Sequence, residues 1–230
     1  MNPPHDVIVF GATGFTGRLV AEYLQRTLGS DGGVRWALAG RQAARLAEVR
    51  NAIGADPALP LLTADASDAA GMAALVRQAR VVISTVGPYQ RYGEALITAC
   101  AEAGTDYVDL CGEPLWMAAM IPRLQGPAQA SGARIVFSCG FDSIPFDLGV
   151  VFLQAEMQRR LGAFAKQVRA RVTVMKGTLS GGTAASALAT FEQIGREREE
   201  IADVDVQVGR AIARERPAAG DLRLGAEFAE

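Results

Sequence analysis

The first candidate for chemistry is a set of three glycines spaced three residues apart. Gly11, Gly14 and Gly17 follow the apolar run 7–10 and precede a helical pattern over 18–27. Gly11 would permit a tight turn, Gly14 would let the backbone approach a pyrophosphate, and Gly17 would let helix and strand pack closely. Free N–H groups at a helix start, together with the helix dipole, stabilise phosphate charge. The pattern favours a dinucleotide site, and a plain strand-to-helix turn is the alternative.

A basic residue stands where the second strand of such a unit would end. Gly40 and Arg41 follow the apolar run 34–39, and no acidic residue occurs between Trp36 and Arg45. NAD-binding proteins place Asp or Glu here for the ribose 2′-hydroxyl, whereas NADP-binding proteins place an arginine nearby for the 2′-phosphate. Arg41 would pair with that phosphate, assisted by Arg45. We therefore expect NADP rather than NAD, the alternative being an exposed arginine at a helix start.

Two further strand ends carry candidate residues. Asp65 follows the third apolar run, where the adenine edge would lie, and an N-cap of the next helix is an equally good interpretation. Gly87 and Pro88 follow the fourth run, where the nicotinamide should sit beyond the carboxyl ends of the strands. Tyr89 could pack on the nicotinamide or donate a proton, because a neutral phenol can donate near pH 7. A surface turn is the alternative for residues 87–89.

Other kinds of chemistry are weakened by what the sequence lacks. His5 is the only histidine and stands beside two prolines at a predicted frayed end, so sites with several histidine ligands are excluded. Cys100, Cys111 and Cys139 form no CxxC pair and lie in apolar surroundings, which predicts buried reduced thiols. No lysine precedes Lys166, so the chain has no P-loop. We expect no metal ion and no hydrolase triad.

Composition and patterning predict a globular α/β protein. Half of the 230 residues are apolar and 21% are charged, which is close to average soluble usage. Short apolar runs alternate with helical patterns, which predicts a doubly wound parallel sheet covered on both faces. The predicted strands are 7–10, 34–39, 59–64, 80–86, 106–111 and 134–139. The predicted helices between them are 18–27, 43–53, 68–79, 93–103 and 115–130, and Pro122 or Pro127 should break the last.

The character of the chain changes after Gly140. Residues 145–161 have an amphipathic helical pattern, 167–175 alternate like a strand with one wet face, and 183–200 are predicted to be helical. A single strand needs partners, so this second unit is predicted to be incomplete. We assign residues 1–142 to a Rossmann-type domain and residues 143–230 to a partial α+β substrate or dimerisation domain.

Several of these motifs together resemble the saccharopine dehydrogenase-like oxidoreductases, and within them the bacterial trans-acting enoyl reductase branch. The resemblance runs from residue 7 to about 190. The residues that carry it stand in Gly11–Gly17, Gly40-Arg41, Thr85-Val-Gly-Pro-Tyr89 with Tyr92-Gly93, Asp106-Tyr-Val-Asp-Leu-Cys-Gly-Glu113, Cys139-Gly-Phe-Asp-Ser-Ile-Pro145, and Ser180-Gly-Gly-Thr183 with Ser186. Members of this family are considerably longer, so we expect this chain to lack the C-terminal part that completes the substrate domain.

The resemblance implies an NADP-binding Rossmann domain followed by an α+β substrate domain. It implies Arg41 at the 2′-phosphate, Gly87, Pro88 and Tyr89 on the nicotinamide side, and Asp142 and Ser143 at the crossing into the substrate domain. We prefer a capping role for Asp142 and Ser143 at the following helix, with substrate orientation as the alternative. The residues that the resemblance assigns to the cofactor phosphates are Gly11, Thr13, Gly14, Phe15, Thr16 and Gly17.

The expected activity is hydride transfer from NADPH to the C=C bond of an enoyl group in an acyl or lipid-type substrate. Tyr89 is the candidate general acid, although water or the substrate could serve equally. Reduction of an amino-acid imine, as in saccharopine reductase, is one alternative, and Arg91, Arg169 and Arg171 are available for its carboxylates. A non-catalytic NADP-binding or scaffold protein is the other.

Net charge and the N-terminus limit the expected partners. The net charge of −2 gives no electrostatic footprint for nucleic acid, and no apolar run is long enough to span a membrane. Residues 1–6 lack the pattern of a signal peptide, so we expect a cytoplasmic protein. The expected partner is a small-molecule substrate, and an exposed strand edge in the second unit would favour a homodimer.

Overall fold

The computed structural model describes residues 3–29, 33–174, 181, 185–186 and 188–191. Its centre is a six-stranded parallel sheet with the spatial order β3-β2-β1-β4-β5-β6. The chain runs outward from β1 in one direction, then crosses back and runs outward in the other, so the prediction of a doubly wound α/β fold is confirmed. The strands are β1 His5–Phe10, β2 Trp36–Gly40, β3 Leu61–Thr63, β4 Ala79–Ser84, β5 Asp106–Asp109 and β6 Ile135–Val136.

Helices cover both faces of this sheet. They are α1 Phe15–Leu28, α2 Ala43–Ala52, α3 Ala69–Val76, α4 Tyr89–Tyr92, α5 Glu94–Ala103 and α6 Pro114–Ser131, and a further helix, α7 Ile144–Leu161, follows β6. The single helix predicted over 93–103 is accompanied by the separate turn of helix α4, which begins directly after Pro88. Because parallel strands need crossover connections, each helix returns the chain to the same edge, and all strands end on one side of the sheet.

Two apolar cores lie on opposite faces of the sheet. In β1, Ile8 and Phe10 point into the core that contains α3, α5 and α6, whereas Val9 points into the core that contains α1 and α2. In β2, Ala37 and Leu38 divide in the same alternating way. A strand that is buried on both faces is mainly apolar, which is why runs rich in apolar residues identify the strands.

The prediction that prolines would break the sixth helix is wrong. α6 runs without interruption from Pro114 to Ser131 with Pro122 and Pro127 inside it. Pro122 is exposed, so the backbone carbonyl that it leaves unpaired can bind water. Trp116, Met120 and Leu124, four residues apart, form a buried stripe on the other side, and α6 packs against α5. Burial of this stripe outweighs the missing backbone hydrogen bonds.

The single histidine is also placed differently from the prediction. His5 is not in a frayed end but begins β1, where its backbone N–H donates to the carbonyl of Gln78 at 3.0 Å. It therefore lies at the edge of the sheet opposite the strand ends. Cys100 and Cys111 are free buried thiols as predicted, and Cys139 is a half-buried one. Burial raises the pKa values of all three thiols.

The segment after β6 is far less buried than the sheet domain. α7 contains no buried residue, and residues 167–174, predicted as part of a strand, have no regular secondary structure. The strand edge that favoured a homodimer is therefore not found in the described residues. Residues 185–186 and 188–191 are helical, and the rest of the predicted helix 183–200 and residue 175 lie outside the described residues. Within those residues, no helix has the length and apolar character needed to cross a membrane.

Candidate functional site

The glycine-rich turn joins β1 to α1 at the point where the strand order reverses. Gly11 has φ +88°, and a Cβ atom there would lie 2.7 Å from both Thr85 Oγ1 and Val86 Cγ2. The N–H of Gly14 donates to the carbonyl of Gly11 at 2.9 Å and closes the turn. A side chain at position 11 would thus be strained in conformation and would collide with the end of β4.

The last glycine of the motif brings the start of α1 against the end of β1. A Cβ atom at Gly17 would overlap the carbonyl of Gly11 and would lie 2.7 Å from Thr85 Oγ1. The Thr85 hydroxyl lies within hydrogen-bonding distance of the carbonyls of Phe10, at 3.1 Å, and Gly11, at 3.2 Å. β1, the glycine turn, α1 and the end of β4 therefore form one close-packed unit, as the role proposed for Gly17 requires.

The N-terminus of α1 is free to receive an anion from outside the helix. Gly14 occupies the N-cap position, no side chain caps the helix, and no acidic residue lies in its first turn. Phe15 is exposed and Thr16 is half-buried beside these N–H groups. Unpaired N–H groups and the positive end of the helix dipole meet here, which suits a phosphate.

The end of β2 carries the residue predicted for the ribose phosphate. Arg41 follows β2 directly and is exposed, and Thr13 approaches this strand end closely enough that a Cβ atom at Gly40 would lie 3.8 Å from its Oγ1. No acidic residue intervenes between Gly40 and α2. An exposed arginine with no carboxylate beside it is the arrangement typical of NADP-binding proteins, and the contact of Arg41 with a 2′-phosphate stays a prediction.

Asp65 lies near Arg41 beyond the end of β3. Its Oδ1 accepts hydrogen bonds from the N–H of Ser67 at 2.9 Å and from the Ser67 hydroxyl at 2.7 Å. These hydrogen bonds, with a smaller contribution from the charge of Arg41, hold the pKa of Asp65 below its usual range. The alternative that Asp65 is the N-cap of α3 is wrong, since Asp68 occupies that position. A role at the adenine edge stays a prediction.

The nicotinamide-side turn, residues 86–88, connects β4 to α4. The Gly87–Pro88 peptide is cis, and a Cβ atom at Gly87 would lie 3.3 Å from Ser186 Oγ. Tyr89 follows this turn but points inward: 4% of it is exposed, and its hydroxyl lies 3.1 Å from the carbonyl of Ser84 and accepts a hydrogen bond from the N–H of Leu110 at 3.4 Å. Burial, and secondly the charge of Asp109, raise the pKa of Tyr89 well above its ordinary value.

Two buried carboxylates lie beneath this turn, and the sequence pattern singled out neither. Asp109 accepts hydrogen bonds from the N–H groups of Cys111 and Ser138 at 3.0 and 2.8 Å and from the Tyr107 hydroxyl at 2.9 Å, and burial raises its pKa. Glu113 is 2% exposed. The signal that could have found them is an acidic residue at the end of a buried strand and another at the following helix start.

The predicted substrate residues lie in the turn between β6 and α7. Ser143 occupies the N-cap position of α7, but no side-chain hydrogen bond caps that helix, so the capping interpretation of Asp142 and Ser143 is wrong. Asp142 is exposed and Ser143 is half-buried. Their role in orienting a substrate stays a prediction. Of the motif 180–183, only Gly181 lies within the described residues.

The structure thus brings the predicted residues to one edge of the sheet. The glycine turn, Thr85 and the nicotinamide-side turn meet at the adjacent ends of β1 and β4, and Arg41 and Asp65 lie at the ends of β2 and β3. Asp142 and Ser143 follow β6, which is the far strand of the sheet. Ligands of open α/β sheets bind in this crevice beyond the carboxyl ends of the strands.

Two known proteins are similar to this chain in sequence. Rv2449c of Mycobacterium tuberculosis (strain ATCC 25618 / H37Rv) is 44% identical over 202 residues, which are 86% of this chain and 48% of that protein. The trans-acting enoyl reductase of Mycobacterium bovis (strain BCG / Pasteur 1173P2) is 49% identical over 146 residues, which are 63% of this chain and 34% of that protein. The chain therefore spans half or less of the length of these relatives.

A solved structure shares the fold of this chain, and a family model identifies its family. Apo saccharopine dehydrogenase (L-Glu forming) from Saccharomyces cerevisiae has the same fold, with a TM-score of 0.54 and 19% identity over 67% of this chain and 32% of that one. The model of the saccharopine dehydrogenase NADP binding domain matches residues 7–136, which contain most of β1, all of β2 to β6, the glycine turn and Arg41. The prediction of family and cofactor is confirmed: the chain belongs to the saccharopine dehydrogenase NADP-binding domain family.

Proposed function

We propose that this chain is an NADPH-dependent reductase that acts on the C=C bond of an enoyl group in an acyl or lipid-type substrate. The observation that carries the proposal is the uncapped start of α1 beside the glycine turn, with Arg41 at the next strand end. The enoyl substrate is supported by the name of the relative that is 49% identical. When bound, NADPH supplies the hydride, and a proton from a second donor completes the saturated bond.

The residues of the chain would bind and orient the cofactor. The N–H groups at the start of α1 would hold the pyrophosphate, and the guanidinium of Arg41 would pair with the 2′-phosphate. The nicotinamide-side turn, residues 86–88, would lie beside the reacting ring, where Gly87 lacks a side chain and leaves room for close approach. Asp142 and Ser143 would face the substrate from the turn after β6.

The role of Tyr89 as the general acid that donates the proton stays a prediction. Its hydroxyl already contacts two backbone groups inside the protein, and burial raises its pKa, which together favour a structural role. If Tyr89 donates the proton, Tyr89→Phe should lower kcat about a hundredfold or more. If the phenol only supports the turn, turnover should fall by less than about tenfold, while stability falls by about 1 kcal/mol because the hydrogen bonds are lost. Steady-state kinetics and thermal unfolding of this variant decide between the two.

The proposed activity is tested in two stages. Calorimetric titration with NADPH and NADH should give binding with a clear preference for NADPH. Incubation with NADPH and a 2-enoyl thioester should then give loss of reduced-nicotinamide absorbance, together with a product that mass spectrometry shows to have gained two hydrogens. The saturated thioester is the matched control and should give neither signal.

Each other outcome points to a different function. Binding of NADPH without oxidation by any acceptor would favour a non-catalytic NADP-binding protein. Oxidation with a mixture of an amino acid and a keto acid, but not with the enoyl thioester, would favour imine reduction. The cytoplasmic location, the homodimer and the domain boundary at residue 142 stay predictions of the sequence.

A further inference from the structure

Glu113 is a buried carboxylate next to the proposed nicotinamide side. It follows β5 and directly precedes Pro114, the first residue of α6, and 2% of it is exposed. Its backbone N–H contacts Cys111 Sγ at 3.3 Å, so the residue is fixed at its main chain as well. Burying a carboxylate costs free energy unless hydrogen bonds satisfy its oxygens, so the hydrogen-bond partners of Glu113 indicate its role.

The partners of this carboxylate come from two parts of the chain that are distant in sequence. Glu113 Oε1 accepts from the N–H of Tyr89 at 2.8 Å, and Oε2 accepts from the N–H of Gln90 at 2.9 Å. The Ser186 hydroxyl contacts Oε1 at 2.8 Å. Two consecutive N–H groups directly after the nicotinamide-side turn are therefore held by one side chain, which also reaches the later helical segment.

The same serine touches the turn itself. A Cβ atom at Gly87 would lie 3.3 Å from Ser186 Oγ, so Gly87, Glu113 and Ser186 converge at one point. Any displacement of the Glu113 carboxylate would therefore affect both the nicotinamide-side turn and the Ser186 segment. By contrast, Gly11–Gly17 follow β1, Arg41 follows β2, and none of them shares a hydrogen bond with Glu113 in the described part of the chain.

We propose that Glu113 is a positioning residue that sets the nicotinamide-side turn and seats the Ser186 segment against it. Binding of the nicotinamide half of the cofactor then depends on Glu113, whereas binding of the adenosine half does not. The proposal rests on the proposed function in one respect, namely that the nicotinamide lies beside residues 86–88.

Binding of two ligands distinguishes the nicotinamide half of the site from the adenosine half. NADPH reaches both, whereas adenosine 2′,5′-bisphosphate has the phosphorylated adenosine and no nicotinamide. In Glu113→Gln an amide NH₂ group replaces one carboxylate oxygen. A group that donates to that oxygen in the wild type would then face a second donor instead of an acceptor. Losing a hydrogen bond to a charged group should weaken NADPH binding about tenfold, while adenosine bisphosphate affinity stays within about twofold. Glu94→Gln is the control. It makes the same substitution on α5, in an exposed ion pair with Arg123 of α6, and should leave both affinities unchanged.

A second variant and a second readout guard against a general loss of structure. Ser186→Ala removes one of the three hydrogen bonds and should give a smaller change in the same direction. The emission of bound NADPH, which comes from the reduced nicotinamide, should shift toward that of free NADPH in both variants. Retained binding of adenosine bisphosphate shows that the sheet domain is folded, and if Glu113→Gln does not fold, Ser186→Ala carries the test.

The proposal is overturned if Glu113→Gln weakens both ligands equally, or if NADPH affinity and emission are unchanged in both variants. Failure of the proposed function has a different signature. A wild-type chain that binds NADPH no more tightly than adenosine bisphosphate would refute the placement of the nicotinamide. A selective loss of NADPH in Glu113→Gln, with no acceptor ever reduced, would sustain the role of Glu113 and refute the reductase.

Discussion

At the scale of single residues, the cofactor site depends on what is missing as much as on what is present. Gly17 has no room for even a methyl group, α1 has no side-chain cap, and the end of β2 has no carboxylate. Each absence leaves space or unpaired N–H groups where a phosphate can bind. Arg41 supplies a positive charge directly after β2.

Gly17→Ala should disrupt the site through the backbone. The added methyl group would overlap the Gly11 carbonyl, so α1 must move away from β1, which should lower the free energy of unfolding by about 1–3 kcal/mol. NADPH affinity should fall more than about tenfold because the N–H groups move with the helix. Gly126→Ala in α6, where a Cβ atom meets nothing within 4 Å, is the control and should be neutral or stabilising. Chemical denaturation and calorimetry measure both effects, and equal behaviour of the two variants would contradict the close contact.

Arg41→Ala should change cofactor preference rather than folding. Loss of a charge-assisted hydrogen bond to the 2′-phosphate should reduce the ratio of NADPH to NADH affinity by about tenfold or more, mainly through weaker NADPH binding. Arg77→Ala removes an exposed arginine that precedes β4, at the opposite edge of the sheet, and should leave the ratio unchanged. A ratio that is the same in all three proteins would remove Arg41 from the cofactor site.

At the scale of elements, the sequence predicted what depends on local patterning. All six strands were predicted because apolar residues predominate in each run, as is typical of parallel strands covered on both faces. Their bounds differ by up to three residues, since a strand ends where its neighbour stops pairing: β6 keeps only Ile135 and Val136 of the run 134–139. The contact of Glu113 with Tyr89 and Gln90 joins positions 23 and 24 residues apart, which no local pattern encodes.

The beginnings of β1 and β2 are joined by an ion pair between Asp6 and Arg35. Arg35 donates to Asp6 through its Nε at 3.1 Å, its Nη2 at 3.0 Å and its backbone N–H at 3.0 Å, and these bonds lower the pKa of Asp6 from 3.8 to about 2. Because the pKa is lower in the folded state, this pair stabilises the fold above the unfolded-state pKa, and its contribution disappears as the pH falls through about 2.

Asp6→Asn should therefore destabilise the protein in a pH-dependent way. Its melting temperature should lie below that of the wild type at pH 7, and the difference should shrink between about pH 4 and pH 2, where the wild-type carboxylate becomes protonated. Glu48→Gln on the exposed face of α2 removes the same charge and should give a much smaller difference at pH 7. A difference for Asp6→Asn that does not vary over this range would show that the carboxylate charge is not its source.

At the scale of the whole molecule, burial divides the chain unevenly. Residues 5–139 contain both apolar cores. Of the described residues after 139, Ala189 is buried, whereas α7 has no buried residue and exposes Leu148, Val151 and Phe152. The Ser186 hydroxyl, which lies 2.8 Å from Glu113 Oε1, ties that later part to the sheet domain. The sheet domain has its own cores and should therefore resist local unfolding. α7 and the irregular residues 162–174 should unfold locally more readily.

Limited proteolysis should reveal this division. Among the described residues, cleavage should begin between residues 140 and 174, leaving a resistant fragment that contains residues 5–139 and still binds adenosine 2′,5′-bisphosphate. NADPH should slow that cleavage more than adenosine bisphosphate does, because only NADPH reaches the turn on which Glu113 and Ser186 converge. Mass spectrometry of the fragments identifies the sites, and a matched digestion with NADH controls for a general effect of nucleotide. Early cleavage within residues 7–136 would instead mean that the sheet domain depends on the later part of the chain for its own stability.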